Sequence, residues 1–500
     1  MSITTGILLT ASFPPFLGWT AWIALVPLLI SLENESSSSA FKLGFLAGIT
    51  HYMTLIFWIV VVLKQYGGLG IEISITILIL LCAYLSLYPA VFSFITRVIP
   101  HNRFPALSAA MIWVSLEFIR SWMLSGFPWC LLGYSQFEQI RLVQISDITG
   151  VYGLSFLIIS VNCLLSRIIL DKYSKLSKRI LRLETATVTI ILFLTIFYGQ
   201  LRLTESLKNK QGQTINAIVI QPNINQAIKW NPDFQKETME LYHRLTSSKY
   251  DFKPDIIMWP ESAVPFFYQD APAYSDITSK IANDSNSWLL FGSPAYQVSN
   301  QYVTRYYNRA YLISPEGETV DYYDKVHLVP FGEYVPLKKF LPFIDRLVYA
   351  AGDFASGENL MPLNLPDIPL GILVCFEAIF PELARAQTRN GAQILANITN
   401  DAWFGRTSAS YQHLAMASFR ASENKRPLIR CANTGISAFI DRYGRITSKG
   451  GLFTEEVLTS KITADTSFTF YSVHGDVFAV TIFFICLIKM IHLIYVHHKK

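Results

Sequence analysis

Leu370-Gly371-Ile372-Leu373-Val374-Cys375-Phe376-Glu377 decides the fold. The run from Leu370 to Cys375 is uncharged, apolar and short, the signature of a buried strand. A helical segment, Pro381 to Thr388, follows it. A thiol between such a strand and a helix stands where α/β folds gather reactive groups, at the end of a strand. The thiolate is the nucleophilic species, favoured by a nearby cation and a helix N-terminus. Taken alone, Cys375 reads first as a buried structural cysteine.

The same pattern extends on both sides. Ile215 to Gln221, Asp255 to Met258, Trp288 to Phe291, Tyr311 to Ser314, Gln393 to Ile398, Leu428 to Cys431 and Ala438 to Asp441 read as strands. Pro232 to Leu245, Tyr274 to Ala282 and Tyr411 to Glu423 read as helices, the first with Asn231 as N-cap and proline in its first turn. Such alternation gives an α/β layered domain. Two further strand ends carry chemistry. Ile256 to Trp259 delivers Pro260-Glu261-Ser262, where partial desolvation suits Glu261 to take and return a proton. Lys325 closes the polar run Asp321-Tyr322-Tyr323-Asp324 and could steady an oxyanion beside the backbone N–H that follows the nucleophile. Singly, Glu261 reads also as a paired surface carboxylate and Lys325 as a solvated lysine.

The rest of the chain is of another kind. Of 500 residues 51% are hydrophobic and only 15% charged, which implies a bilayer. Apolar runs at 2–13, 17–31, 42–64, 72–98, 104–122, 150–170, 183–201 and 475–496 suggest about eight spans, the first two divided by Pro14-Pro15. The N-terminus lacks the charged start and cleavage site of a secretory signal, so it is expected to stay as a membrane segment. The division is 1–201 transmembrane, 202–470 catalytic and 471–500 a last span with its tail. Arg97, Arg103, the 167–182 loop with Lys172, Lys175, Lys178 and Arg179, and Lys499-Lys500 all fall on one side of an eight-span arrangement. That side is cytoplasmic, which leaves 202–470 outside the cytoplasm.

A net charge of +5 without a basic, aromatic-interleaved stripe argues against nucleic acid as a partner. The six cysteines and the histidines show neither metal-ligand spacing nor a disulfide framework.

Together these residues resemble the carbon-nitrogen hydrolase, or nitrilase, superfamily, whose catalytic Glu, Lys and Cys occur in that chain order. The nearer resemblance is to its membrane branch, the apolipoprotein N-acyltransferases. It rests on Glu117-Phe118-Ile119-Arg120, Ser125 to Trp129, Gly133 to Gln136, Gln221-Pro222-Asn223, Lys229-Trp230, Trp259 to Ser262, His327 to Pro336 and Asn400 to Gly405. The resemblance implies a nitrilase-like α-β-β-α sandwich inserted between membrane helices, and no cofactor. It implies an acyl chain passed from a phospholipid, typically phosphatidylethanolamine, through a Cys375 thioester to the α-amino group of a diacylglyceryl-cysteine on a lipoprotein. Glu261, Lys325 and Cys375 map onto the catalytic set, Glu333 and Glu377 onto supporting carboxylates, and Trp230 onto a tryptophan near the site. Phe376 stands where the family has tyrosine, so any hydrogen bond from that hydroxyl is lost. The chain is expected to act as a monomer in the bacterial inner membrane with its catalytic domain on the periplasmic side.

Two local expectations remain. The apolar stretch Phe340 to Tyr349 suggests a lid that dips into the lipid surface, or a loop packed on its own domain. Glu117 and Arg120, three apart on one helical face, suggest an ion pair. A membrane-tethered amidase shares the same catalytic set. A transporter with a sensor domain fits poorly with spans so nearly free of charge.

Overall fold

The computed structural model describes residues 1–98, 104–171, 178–208, 212–247, 252–298, 303–334 and 354–498. It divides into two compact units. One comprises Met1–Ile59, Glu72–Lys208 and His474–Lys500, the other Val60–Ile71 and Asn209–Val473.

The first unit is helical. Among the described residues Ile71–Val98, Tyr152–Asp171 and Lys178–Thr204 are long and apolar enough to cross a membrane, and Ser37–Leu55 belongs to a fourth if counted as one bent span with Trp58–Tyr66, most of which falls in the other unit. Ser2–Ala11, Gly18–Ser31 and Val477–His492 are shorter apolar helices. Pro105–Arg120, at 16 residues, packs between Tyr152–Asp171 and Val477–His498. The expected Glu117–Arg120 pair does not form, because each group has a different partner. Glu117 Oε1 accepts from the Leu132 N–H at 2.8 Å, while Arg120 donates to the Tyr52 hydroxyl. Burying a backbone N–H without an acceptor is costly in an apolar setting, and Glu117 meets that need. Arg167, read from sequence as a loop charge, is instead buried and paired with Glu184, whose other oxygen accepts from the Ala106 N–H at 2.6 Å.

The second unit is built on two sheets. Its strands are β1 Thr214–Gln221, β2 Ile256–Met258, β3 Trp288–Val298, β4 Thr304–Ile313, β5 Thr319–Asp324, β6 Leu370–Val374, β7 Ile394–Thr399, β8 Leu428–Ala432, β9 Ala438–Ile440, β10 Ile446–Lys449 and β11 Glu456–Thr463. Among the described residues one sheet runs β11-β1-β2-β3-β4-β5 and the other β10-β9-β8-β7-β6. β1, β2 and β3 are mutually parallel, as are β6, β7 and β8.

Side-chain alternation explains the layering. In β1, Ala217 and Val219 join Met258, Leu290, Ile372, Val374 and Ile398 in the core between the sheets. Ile218 and Ile220 face the other way, onto Met239 and Tyr242 of the helix Gln235–Thr246. Helices Pro381–Arg389 and Ala409–Asn424 pack on β6 and β8. The two-residue period thus gives the first sheet a helix-covered face and a sheet-covered face.

β4 begins at Thr304, earlier than the sequence suggests, and β5, β10 and β11 lie in stretches the sequence reading left unassigned. Their alternation is blurred by exposed residues such as Thr319, Lys461 and Thr463. The stretch proposed as a lid, Phe340 to Tyr349, lies outside the described residues.

Candidate active site

Parallel strands deliver their C-terminal ends to one edge of each sheet, and the expected residues sit there. Glu261 follows β2, Lys325 follows β5 and Cys375 follows β6. All three are buried, at 6%, 1% and 8% exposure. Glu261 turns sharply back from its strand, with Ser262 at φ 48°. Gly292 in β3 makes room for that turn, since a Cβ there would lie 2.7 Å from Glu261 Cα and 2.5 Å from the Ser262 nitrogen.

Cys375 carries φ 51°, left-handed and strained for a residue with a side chain. It opens a short 3₁₀ turn, Cys375–Ile379, and the expected helix follows as Pro381–Arg389. The opening N–H groups of such a turn have no partner within it, so that of Phe376 is available to a ligand.

The carboxylate of Glu261 is held at both oxygens. Asn308 Nδ2 donates to Oε1 at 2.8 Å and the Asn400 N–H to Oε2 at 2.9 Å. Lys325 Nζ is 3.6 Å from Glu261 Oε1, an ion pair, and donates a 2.9 Å hydrogen bond to Glu333 Oε1. The same Asn308 nitrogen also donates to Glu333 Oε1 at 2.8 Å, and Glu333 Oε2 accepts from the Val329 N–H at 2.8 Å.

Electrostatics couple the set. Burial, reinforced by Glu261, pushes the Cys375 thiol well above its usual value against the pull of Lys325, so the resting sulfur keeps its proton. The cation that favours a thiolate is present, but burial outweighs it. Lys325 goes the other way. Against burial, Glu333 and Glu261 hold its ammonium well above the ordinary lysine range. The cluster therefore offers a protonated thiol, an oriented carboxyl group and a permanent cation, the parts needed for acyl transfer through sulfur.

Residues 5–164 match the model of the apolipoprotein N-acyltransferase N-terminal domain, and residues 217–469 that of the carbon-nitrogen hydrolases. The chain is 43% identical to an apolipoprotein N-acyltransferase of Geobacter metallireducens over 96% of its own length and 92% of the relative's. The chain belongs to the apolipoprotein N-acyltransferase family. It is 31% identical to the apolipoprotein N-acyltransferase of Haemophilus influenzae over 98% of its length and 94% of the relative's. Among solved structures it is similar to a carbon-nitrogen hydrolase from Helicobacter pylori, with 18% identity, a TM-score of 0.39, and coverage of 50% of this chain and 89% of the other.

In this member of the apolipoprotein N-acyltransferase family the supporting residues take distinct places. Glu377 is fully buried behind the turn, where Oε1 accepts from the Val326 and His327 N–H groups and the Tyr323 hydroxyl, and Oε2 from the Val374 N–H. It ties the segment after Lys325 to the strand before Cys375. Burial pushes its carboxyl up to about 7 against the pull of those donors. Phe376 lies in an aromatic group with Phe380 and His327, and His327 is held down to about 4 by burial and by Lys325, hence neutral at pH 7. Trp230 is not drawn into the polar cluster. It is 44% exposed and follows the turn Gln226–Lys229.

Its neighbour Lys229 points inward instead, with Nζ 3.1 Å from the Glu261 carbonyl oxygen, and burial brings that amine down to about 8. Lys229, Asn308 and Asn400 escaped the sequence reading as site residues. Asn308 left one signal, an amide inside the β-rich run Tyr306-Tyr307-Asn308-Arg309-Ala310-Tyr311, where strands disfavour asparagine. Among the described residues no group of three or more His, Cys, Asp or Glu could hold a metal ion.

Proposed function

We propose that this chain moves an acyl group from a phospholipid to the α-amino group of a diacylglyceryl-cysteine at the N-terminus of a lipoprotein, the last step of bacterial lipoprotein maturation. The observation that carries the reading is the buried cluster of Cys375, Glu261 and Lys325 within a chain of this family.

In the first half, Glu261 takes the thiol proton as the Cys375 sulfur attacks the ester carbonyl carbon. Lys325 and the Phe376 N–H stabilise the oxyanion. Collapse forms the thioester and expels the lysophospholipid alkoxide, which receives the proton from Glu261. In the second half the lipoprotein amine attacks the thioester carbonyl and gives its proton to Glu261. Collapse then expels the Cys375 thiolate, which is reprotonated. Glu333 keeps Lys325 charged, Glu377 braces the turn, and Trp230 contacts lipid.

The finer arrangement belongs to the same proposal. It comprises about eight spans, parts meeting near residues 201 and 470, the bacterial inner membrane, a periplasmic catalytic domain and a monomer. Phosphatidylethanolamine is the proposed donor. Two lipid-anchored substrates meeting at a bilayer surface search in two dimensions and arrive preoriented.

Hydrolysis is the competing outcome, since water could replace the amine. Protein loaded with labelled phosphatidylethanolamine, then given a diacylated lipopeptide, should yield labelled triacylated lipopeptide. Release of the label only as free fatty acid would favour the amidase.

A further inference from the structure

Behind Cys375 lies a buried network that the proposed reaction does not use. His413, on the helix Ala409–Asn424, has its Nε2 3.1 Å from the Cys375 carbonyl oxygen. Its Nδ1 is 3.1 Å from both Asp401 Oδ1 and Arg430 Nη2. Arg430 Nη2 also donates to Asp401 Oδ2 at 2.8 Å, and its Nη1 to Asn397 Oδ1. The Asn397 amide nitrogen in turn donates to the Leu373 carbonyl at 2.8 Å and reaches the Cys375 carbonyl at 3.5 Å. All four side chains are fully buried.

Proton counting fixes the direction of the contact to Cys375. The Cys375 carbonyl can only accept, so His413 must carry hydrogen on Nε2. Nδ1 lies between Asp401 Oδ1, which only accepts, and Arg430 Nη2, which only donates, and in a neutral ring it accepts from Arg430. Burial and Arg430 hold His413 below its usual range, which agrees with the neutral ring. Asp401 remains a carboxylate, held well below its ordinary value, against burial, chiefly by Arg430, and it also accepts from the Thr399 hydroxyl at 3.0 Å. Arg430 therefore sets the orientation of both donors that reach the Cys375 carbonyl.

The consequence follows from the planarity of the peptide unit. In a trans peptide the C=O of Cys375 and the N–H of Phe376 point in opposite directions. Anchoring the carbonyl from behind turns that N–H forward, where an oxyanion would form. The same anchor holds a left-handed φ that a cysteine would otherwise leave, since such strain persists only where the surroundings impose it.

We propose that His413, oriented by Arg430 and Asp401, is a positioning residue that aims the Phe376 N–H and the strained Cys375 turn for acyl transfer. This rests on Cys375 being the nucleophile. Three variants test it in single-turnover acylation by labelled phosphatidylethanolamine. His413→Gln keeps a donor, His413→Met has a similar volume without one, and Asn397→Leu removes the second donor independently of His413.

His413→Met should acylate about tenfold or more slowly at unchanged KM, and His413→Gln should recover most of that rate. Alkylation of Cys375 by iodoacetamide, which develops no oxyanion, should change less than about threefold in both. Asn397→Leu should show the same split between acylation and alkylation, and carries the test if His413→Met fails to fold. Wild-type acylation in the folded variants that lack a donor would overturn the proposal, as would acylation and alkylation falling together. Cys375→Ala separates the two levels. Label persisting in that variant removes the nucleophile and this inference with it, whereas an unlabelled Cys375→Ala beside a fully active His413→Met overturns only the inference.

Discussion

Lys325 Nζ reaches Glu333 Oε1 at 2.9 Å, a partly buried, charge-assisted hydrogen bond. The lysine stands further from Glu261, at 3.6 Å, so Asn308 is the nearer donor to that carboxylate. The arrangement divides the labour between two carboxylates: Glu333 balances the cation, and Glu261 stays free to exchange a proton.

Glu333→Gln should separate these roles. The folded protein holds Lys325 above its ordinary 10.5, so the stabilisation is present in full below that value and is lost only in stronger alkali. The variant should therefore lose stability across the neutral range, by about 2 kcal/mol. Lys325 would then turn to Glu261, and acylation should slow about tenfold or more. Thermal unfolding from pH 6 to 9, beside single-turnover rates, checks this. An unchanged melting temperature with full activity would refute the division.

The thiol makes a second prediction. Because burial and Glu261 raise Cys375 above the ordinary 9.0, its thiolate fraction should still be climbing at pH 9. Iodoacetamide alkylation should therefore rise through pH 9 without levelling. Glu261→Gln removes the raising charge, so alkylation at pH 8 should quicken while acyl transfer falls by roughly 10²- to 10⁴-fold with the loss of the base. A plateau near pH 7 in the wild type would show a preformed thiolate and remove the need for a base.

Gly292 is the third case. Its missing side chain admits the backbone of Glu261 and Ser262, and Gly292→Ala places a methyl group 2.7 Å from Glu261 Cα. Backbone cannot yield as a flexible side chain can, so Glu261 should shift and kcat fall about tenfold or more, with KM little changed. A wild-type kcat in the folded variant would show that the turn tolerates displacement.

Much of this was legible in the sequence because apolar strands announce their own ends. Ile256–Met258 and Leu370–Val374 are uniformly buried, and the residues just beyond them are Glu261 and Cys375. Lys325 was harder to place, since β5 is mostly exposed or half-buried, with Tyr323 its one buried residue, and reads as a polar run. Beyond the one signal at Asn308, the roles of Asn308, Asn400, His413 and Arg430 were hidden because they depend on contacts across strands and helices far apart in the chain. The Asn400 N–H reaches Glu261 across 139 positions and Arg430 reaches Asp401 across 29. In the helical unit, Arg167 was misread because a charge near a helix end looks solvated until its partner, Glu184, is seen beside it.

The most direct test is covalent trapping. Purified protein in detergent or vesicles is given phosphatidylethanolamine labelled in its sn-1 chain, with no acceptor, and the label on the protein is measured before and after hydroxylamine. The account predicts stoichiometric, hydroxylamine-sensitive label on the wild type and none on Cys375→Ala; label persisting on Cys375→Ala, or no label on an active wild type, would contradict it.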